Sequence, residues 1–315
     1  MPAHRVTQEG TDHLRLRSLL FVPGDRPERF AKAASSGADA IILDLEDSVA
    51  PEQKENARTT VAAWLLENHE IPAFVRINPL DSGIAEADLA AILPTRPDGI
   101  MLPKAEGMAS IERLVAMMDG QIIPILPIAT ETPAAIFQLG SYKSVAQHLA
   151  GLTWGAEDLP AAIGASTSRE ETGCYTPPYE MVRSLTLFGA HAAGVAAIET
   201  VFPDIADTDA LTAYVARARR DGFTGMMAIH PAQVRIINAG FTPSTEDIAR
   251  AQAIVDAFAK NAGAGVLKLD GKMIDKPHLM QAQRVLNIIL PDTQTVRVKL
   301  AHMSDTDRSA PQSKS

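Results

Sequence analysis

The chain has 315 residues, 46% of them hydrophobic and 21% charged, an ordinary composition for a soluble globular protein with room for one large domain or two small ones. No stretch approaches the roughly 18 unbroken apolar residues of a membrane-spanning helix, and MPAHRVTQEGTDHLRLR lacks the apolar run of a secretory signal, so a cytoplasmic protein without a membrane partner is expected. Lys and Arg total 29 against 38 Asp and Glu, a net charge of -9 without a dense basic patch, which argues against nucleic acid as a partner.

Residues 1–16 read as an N-terminal extension. RSLLFVPG, at 17–24, is the first predicted strand, and the helix RPERFAKAASSG follows with Pro27 suited to its first turn. ADAIILDLE then precedes PEQKENARTTVAAWLLEN, PAFVRIN precedes SGIAEADLAAIL, and DGIMLPK precedes GMASIERLVAMM. In the same way IIPILPIA leads to the predicted helix TPAAIFQLGSYKSVAQHLA, and GLTWGAEDL leads through a Gly/Ser/Thr-rich loop to PPYEMVRSLTLFGAHAAG. VAAIETVF with DTDALTAYVARARRDG, then TGMMAIHP with PAQVRIINAG, complete eight strand-helix units. Short apolar runs without alternation suit parallel strands buried on both faces, and eight such units in about 240 residues match a closed (β/α)₈ barrel, here spanning 17–243. An open doubly wound sheet would usually carry a glycine-rich phosphate turn after its first strand, and FVPGDRPERF is not one.

After the barrel the pattern changes. STEDIARAQAIVDAFAKNAG, AGVLKLDGKMID and PHLMQAQRVLNIIL read as a helix, a hairpin turning near Asp270-Gly271 and a closing helix, an appendage over 244–291 too small to bury a good core alone. Residues 292–315, ending in SDTDRSAPQSKS, read as a disordered tail. The only cysteine, Cys174, excludes an intrachain disulfide and has no evident base beside it.

Barrel sites lie where strands end. The apolar runs here lead to Glu46, to Arg76 and Asn78, to Lys104, Glu131, Asp158 and Glu199, and to His230, all expected on one rim. Singly, such residues often cap the next helix, and Asp47 followed by Ser48 fits that use; His230 reads as a hydrogen-bonded structural histidine. As a set they point to chemistry.

Glu131 in PIATETP and Asp158 in TWGAEDL end consecutive strands, so they are expected side by side. Two adjacent acids repel, so either one is protonated or a cation sits between them. Mg²⁺ suits the place because it takes one or two protein carboxylates and completes its shell with water and substrate oxygens, and no His or Cys pair at ligand spacing favours Zn²⁺. Asp44 and Glu46 alternate with Leu43 and Leu45 and share a strand face; Glu46 and Asp47 emerge at the rim, placed to hold metal-bound water or to orient Arg76. Arg76 in FVRIN is the only arginine at a predicted strand end. It suits a substrate carboxylate, an ion pair with Glu46 or Glu131, or both.

RSLLFVPGDRPERFAKA, DLEDSVAPEQKENAR, VRIN, ATETPAAI, WGAEDL and GKMID together resemble the citrate lyase beta-subunit-like family of acyl-CoA lyases, which includes malyl-CoA and citramalyl-CoA lyases. The resemblance runs from about residue 17 to residue 290. It implies a Mg²⁺-dependent barrel, commonly a homotrimer, that cleaves or forms a carbon-carbon bond of a 3-hydroxyacyl-CoA thioester, with a small 2-oxo acid as the other partner. Glu131 and Asp158 would be the metal ligands, and Arg76 the contact to the substrate carboxylate. On their rim positions Glu131, Glu46 and Asp47 are the further candidates for substrate binding. The appendage would be a lid reaching a neighbouring subunit, and Asp275 of GKMID an acid/base carboxylate; without the resemblance, Asp275 reads equally as a cap for the helix beginning near Pro277. Arg17 and Lys32 are the candidate contacts to CoA. The family also admits a citrate lyase subunit acting on an acyl-carrier-protein thioester and a Mg²⁺-dependent 2-oxo acid aldolase, and a non-catalytic subunit that has kept the fold is a third alternative. ATETPAAI and the loop ASTSREETGCYTPP depart from the commoner family wording near the pocket, which leaves the acyl group open.

Overall fold

The structure is a computed structural model that describes residues 15–67 and 69–289. The expected tail over 292–315, and all but the last two residues of the expected N-terminal extension, lie outside the described residues. The chain divides into two compact units between Phe241 and Thr242.

Eight short parallel strands form the first unit: β1 Ser18–Pro23, β2 Ala40–Asp44, β3 Ala73–Arg76, β4 Gly99–Leu102, β5 Ile125–Pro127, β6 Gly151–Thr153, β7 Ala196–Glu199 and β8 Gly225–Ala228. Their order is β5-β4-β3-β2-β1-β8-β7-β6. The ends of that order meet through parallel bridges Ile125 to Leu149 and Ile128 to Thr153, where Ala129 N–H donates to the Thr153 carbonyl at 2.9 Å. The fold is a (β/α)₈ barrel with a C-terminal extension.

Alternation along the strands sorts the side chains. Leu19, Ile42, Phe74, Met101, Leu126 and Ile198 belong to one buried cluster, the barrel interior, whereas Leu20, Ile41, Leu43, Val75, Ile100 and Ala197 pack in the larger cluster beneath the helices. The same parity turns Asp44 and Arg76, two residues beyond Ile42 and Phe74, into the barrel. It turns Glu199, next to Ile198, out of it.

The surrounding helices are α1 Phe30–Ala34, α2 Lys54–Leu66, α3 Ala85–Ile92, α4 Met108–Met117, α5 Pro133–Ile136, α6 Asp158–Ile163, α7 Pro177–Ala193, α8 Thr208–Asp221 and α9 Pro231–Phe241. Two predicted helices are shorter than their sequence patterns. Pro27 opens a three-residue 3₁₀ turn ahead of α1. The long helix expected after β5 is α5 followed by 3₁₀ turns over Leu139–His148. Buried Tyr142 pins that segment: its hydroxyl donates to the Ala105 carbonyl and accepts from Gly107 N–H, both at 3.2 Å, so the chain follows the neighbouring loop instead of an α-helical path. Among the described residues no helix is long and apolar enough to cross a membrane.

The second unit comprises α10 Thr245–Lys260, strands β9 Val266–Leu269 and β10 Lys272–Asp275, and α11 Lys276–Ile289. Ser244 and Asp247 form a reciprocal capping box at the start of α10. β9 and β10 pair antiparallel around Asp270-Gly271, both at positive φ, as a two-residue hairpin turn of this hand requires. The core of this unit is small, built on Ala251, Ile254, Phe258, Ile274 and Ala282.

Barrel closure between β8 and β1 depends on Gly225, where a Cβ would lie 1.8 Å from the Leu16 carbonyl oxygen. Gly225→Ala is therefore expected to force the strands apart and cost about 2–3 kcal/mol, measurable by denaturant unfolding; wild-type stability would show that the backbone relaxes freely there.

Candidate active site

At the C-terminal ends of the strands lies a cavity of about 680 Å³ whose walls include Arg29, Lys32, Asp47, Arg76, Glu131 and Asp158. Its geometry begins with Asp44, the last residue of β2, whose carboxylate accepts the backbone N–H groups of Glu46 at 2.9 Å and Ser48 at 3.2 Å. These bonds fold the DLED stretch into a turn over the barrel mouth. In-register pairing sets Asp44 opposite Arg76 of β3. Arg76 donates from Nε at 2.7 Å and from Nη2 at 2.6 Å to the two Asp44 oxygens, a bidentate pair.

The Arg76 Nη1 edge is committed less. It lies 2.9 Å from Glu46 Oε2 without hydrogen-bond alignment, and the guanidinium sits over the Phe21 ring at 4.9 Å. Burial works against the charges of Asp44 and Arg76, but each holds the other ionised: Asp44 falls below the usual carboxylate range and Arg76 rises above its ordinary value. Burial raises Glu46, with Arg76 and Lys104 opposing.

Lys104 follows β4 in a left-handed backbone conformation, φ +50, uncommon for a residue with a side chain. Its backbone N–H donates to Glu131 Oε2 at 2.6 Å, and its Nζ lies 3.1 Å from Glu46 and 3.4 Å from Asp158. Glu131 is only 4% exposed and is pushed up to about 8, first by burial and further by Asp158 and Glu46, against the opposing Lys104 N–H and charge. Gly155 keeps space beside it, since a Cβ there would lie 2.9 Å from Glu131 Cγ. Asp158 opens α6 with its side chain 32% exposed.

Glu131 and Asp158 fit a divalent cation of the oxygen-preferring kind. The buried acid lacks a counter-charge of its own, the second acid is close enough to raise it, and a glycine leaves room. Among the described residues no group of three or more His, Cys, Asp or Glu is placed to hold a metal, so an ion here would keep most of its positions for water and substrate, as Mg²⁺ commonly does.

Other expected site residues fall elsewhere. Arg17 precedes β1, at the opposite end of the barrel, and forms a bidentate pair with Asp39 at 2.6 and 2.8 Å; with the length of a strand between it and the rim, it is no contact for a ligand in this cavity. Glu199 points out of the barrel and is wholly buried, bonded to Trp154, Arg183 and Tyr214. Asn78 also leaves the rim, donating to buried Asp88 and to the Leu45 carbonyl. Arg76 pairs with Asp44 and Glu46, not with Glu131. Asp47 is exposed on the cavity wall and is not a helix cap: the turn leading into α2 begins at Pro51 behind Ala50, without a side-chain cap. Lys32 and His230 line the cavity. Asp275 lies in the second unit at the junction of β10 and α11, its Oδ1 2.5 Å from His278 Nδ1, a contact that lowers its pKa.

Sequence reasoning missed Lys54. Its ammonium donates to the Leu45 carbonyl at 2.7 Å, the Glu46 carbonyl at 2.6 Å and Asn78 Oδ1 at 2.9 Å, tying α2 to the DLED turn. Arg58 and Asp88 extend the brace, 2.7 Å apart. A lysine and an arginine four residues apart on a helix look like solvated surface until the turn they hold is known.

A closed barrel whose mouth carries two adjoining acids, an anchored guanidinium and an ammonium has the layout of a barrel enzyme with its site at the strand ends. Residues 17–231 match the model of the HpcH/HpaI aldolase/citrate lyase family, and the chain belongs to that family. It is 36% identical over 267 residues to a citrate lyase subunit beta-like protein of Mycobacterium tuberculosis, covering 85% of this chain and 93% of that one. Over 298 residues it is 32% identical to the mitochondrial citramalyl-CoA lyase of Rattus norvegicus, covering 86% and 85%. A crystal structure of CitE from M. tuberculosis in complex with magnesium, acetoacetate and coenzyme A superposes with a TM-score of 0.74 at 34% identity, covering 86% of this chain and 97% of that one.

Because the folded state binds the Glu131 proton more tightly than the unfolded chain does, the associated stability is present at acid pH and lost as pH rises from 4.5 through about 8. In chelator, the thermal midpoint of the wild type is expected to fall across that window and that of Glu131→Gln to fall less. Equal falls in the two proteins would show that Glu131 carries no such penalty.

Proposed function

We propose that this protein, a carbon-carbon lyase of its family, uses Mg²⁺ to cleave or form a 3-hydroxyacyl-CoA thioester such as malyl-CoA or citramalyl-CoA, with acetyl-CoA and a 2-oxo acid on the other side of the reaction. The observation that carries this reading is the juxtaposition of Glu131 and Asp158 with Arg76 in one rim cavity. The magnesium, acetoacetate and coenzyme A bound by the M. tuberculosis CitE support it.

Glu131 and Asp158 would hold the ion, which when bound supplies Lewis-acid polarisation of a hydroxyl or oxo oxygen. Arg76 binds the carboxylate of the acid portion through its Nη1 edge, while Asp44 fixes its plane from the other side. Glu46 keeps that edge oriented, and Asp47 borders the entrance. Lys32, with Arg29 beside it on the cavity wall, faces the anionic CoA moiety. In cleavage a base takes the hydroxyl proton, the carbon-oxygen bond becomes the oxo group of the 2-oxo acid as the carbon-carbon bond breaks, and the released electron pair passes into the thioester as an enolate. In the bond-forming direction the Asp275 carboxylate takes the proton from the thioester's α-carbon, and in cleavage its protonated form returns one to the enolate carbon. We assign the second unit the part of a lid, acting on a neighbouring subunit of a homotrimer and excluding water around the enolate. We also propose a cytoplasmic location for it.

Glu131→Gln and Asp158→Asn should each lower turnover by roughly a hundredfold or more and abolish its response to Mg²⁺, read by mass detection of the released 2-oxo acid from malyl-, citramalyl-, methylmalyl- and hydroxymethylglutaryl-CoA. Retained Mg²⁺-dependent turnover would remove them as ligands, and no turnover of any ester by the wild type would favour a non-catalytic subunit. Asp275→Asn should keep Mg²⁺ and substrate affinity while turnover falls by roughly 10² or more; unchanged turnover would reduce Asp275 to its contact with His278.

A further inference from the structure

We infer that Lys104 is the resident counter-cation of Asp158 and Glu46 and thereby sets how tightly the Glu131–Asp158 pair holds a divalent metal ion, an inference that rests on reading the pair as the metal site. Three contacts converge on this residue: its backbone N–H orients Glu131, and its ammonium reaches both Glu46 and Asp158. The left-handed backbone that allows all three is a conformation a lysine does not adopt by local preference. Such conformations persist where the surroundings over-determine them, most often at functional sites.

The division of labour between the two cations of the rim follows from their geometry. Arg76 is committed to Asp44 by two hydrogen bonds and is 12% exposed, so its charge is fixed in place. Lys104 is 35% exposed and carries its charge on a flexible stem, so it responds to what occupies the acids. Any divalent ion on Asp158 brings two positive charges beside this ammonium, and the repulsion lowers metal affinity. Lys104 thereby keeps Glu46 and Asp158 neutralised while leaving the metal exchangeable. Its main-chain contact acts in the opposite sense, holding Glu131 in position, and survives any side-chain replacement that keeps the fold.

These two actions separate in one experiment on the full-length protein. Mg²⁺ binding is measured by titration calorimetry for all proteins in the same buffer at the same pH. Lys104→Met should bind Mg²⁺ roughly tenfold more tightly than the wild type, within the usual range of coupling between neighbouring charged sites, and Lys104→Arg should stay within about threefold of it. Unchanged or weaker binding by folded K104M would overturn the inference; should K104M not fold, Lys104→Gln is judged by the same criterion. Glu131→Gln and Asp158→Asn run alongside. If neither weakens Mg²⁺ binding, the metal-site reading itself fails; if both do and K104M is not tighter, only the assignment of Lys104 fails.

Discussion

Alternation of charge across the barrel mouth is the constraint on which the rest of this site depends. Asp44, Arg76, Glu46, Lys104 and Asp158 form a chain in which each charge meets one of opposite sign at 2.6 to 3.4 Å. Buried charges persist only with such partners. Glu131 is the member whose balance is incomplete: it has one backbone donor, acids on either hand, and a proton affinity far above an ordinary carboxylate. On the proposed function, a cation shared with Asp158 would complete the pattern, and an anionic substrate would enter a cavity already biased to receive it.

The fold produces this chain through register. Parallel pairing places Leu43 beside Val75 and Asp44 beside Arg76, so the residues that end β2 and β3 on the inner face must touch. The turn after β2 is then held from two directions, from within by the Asp44 carboxylate and from outside by the Lys54 ammonium. Helix α2 thus has a duty besides covering the sheet: it fixes the backbone that presents Glu46 and Asp47.

Much of this was legible in the sequence. Eight apolar runs with helical stretches between them specify the barrel, and strand ends single out Glu131, Asp158, Arg76 and Lys104. What failed did so for definite reasons. Counting polar residues at strand ends ignores parity, so Glu199 looked equivalent to Arg76 although one residue of offset turns it to the far side of the sheet. Arg17 sits at the start of a strand, and its basic character alone does not show that Asp39 claims it. The Asp44–Arg76 pair is hidden in the sequence because Asp44 reads as part of the strand rather than its end. Lys54 and Asp88 lie on helices, where only the folded chain shows what they brace.

The central claim is that Glu131 and Asp158 together seat a divalent cation. It is tested most directly by a crystal of the full-length protein grown with Mn²⁺ in place of Mg²⁺ and measured for anomalous scattering. The expected result is one strong peak bridging the two carboxylates, within about 2.0–2.3 Å of an oxygen from each. A well-ordered site without that peak, or with the ion bound by other residues, would contradict the account.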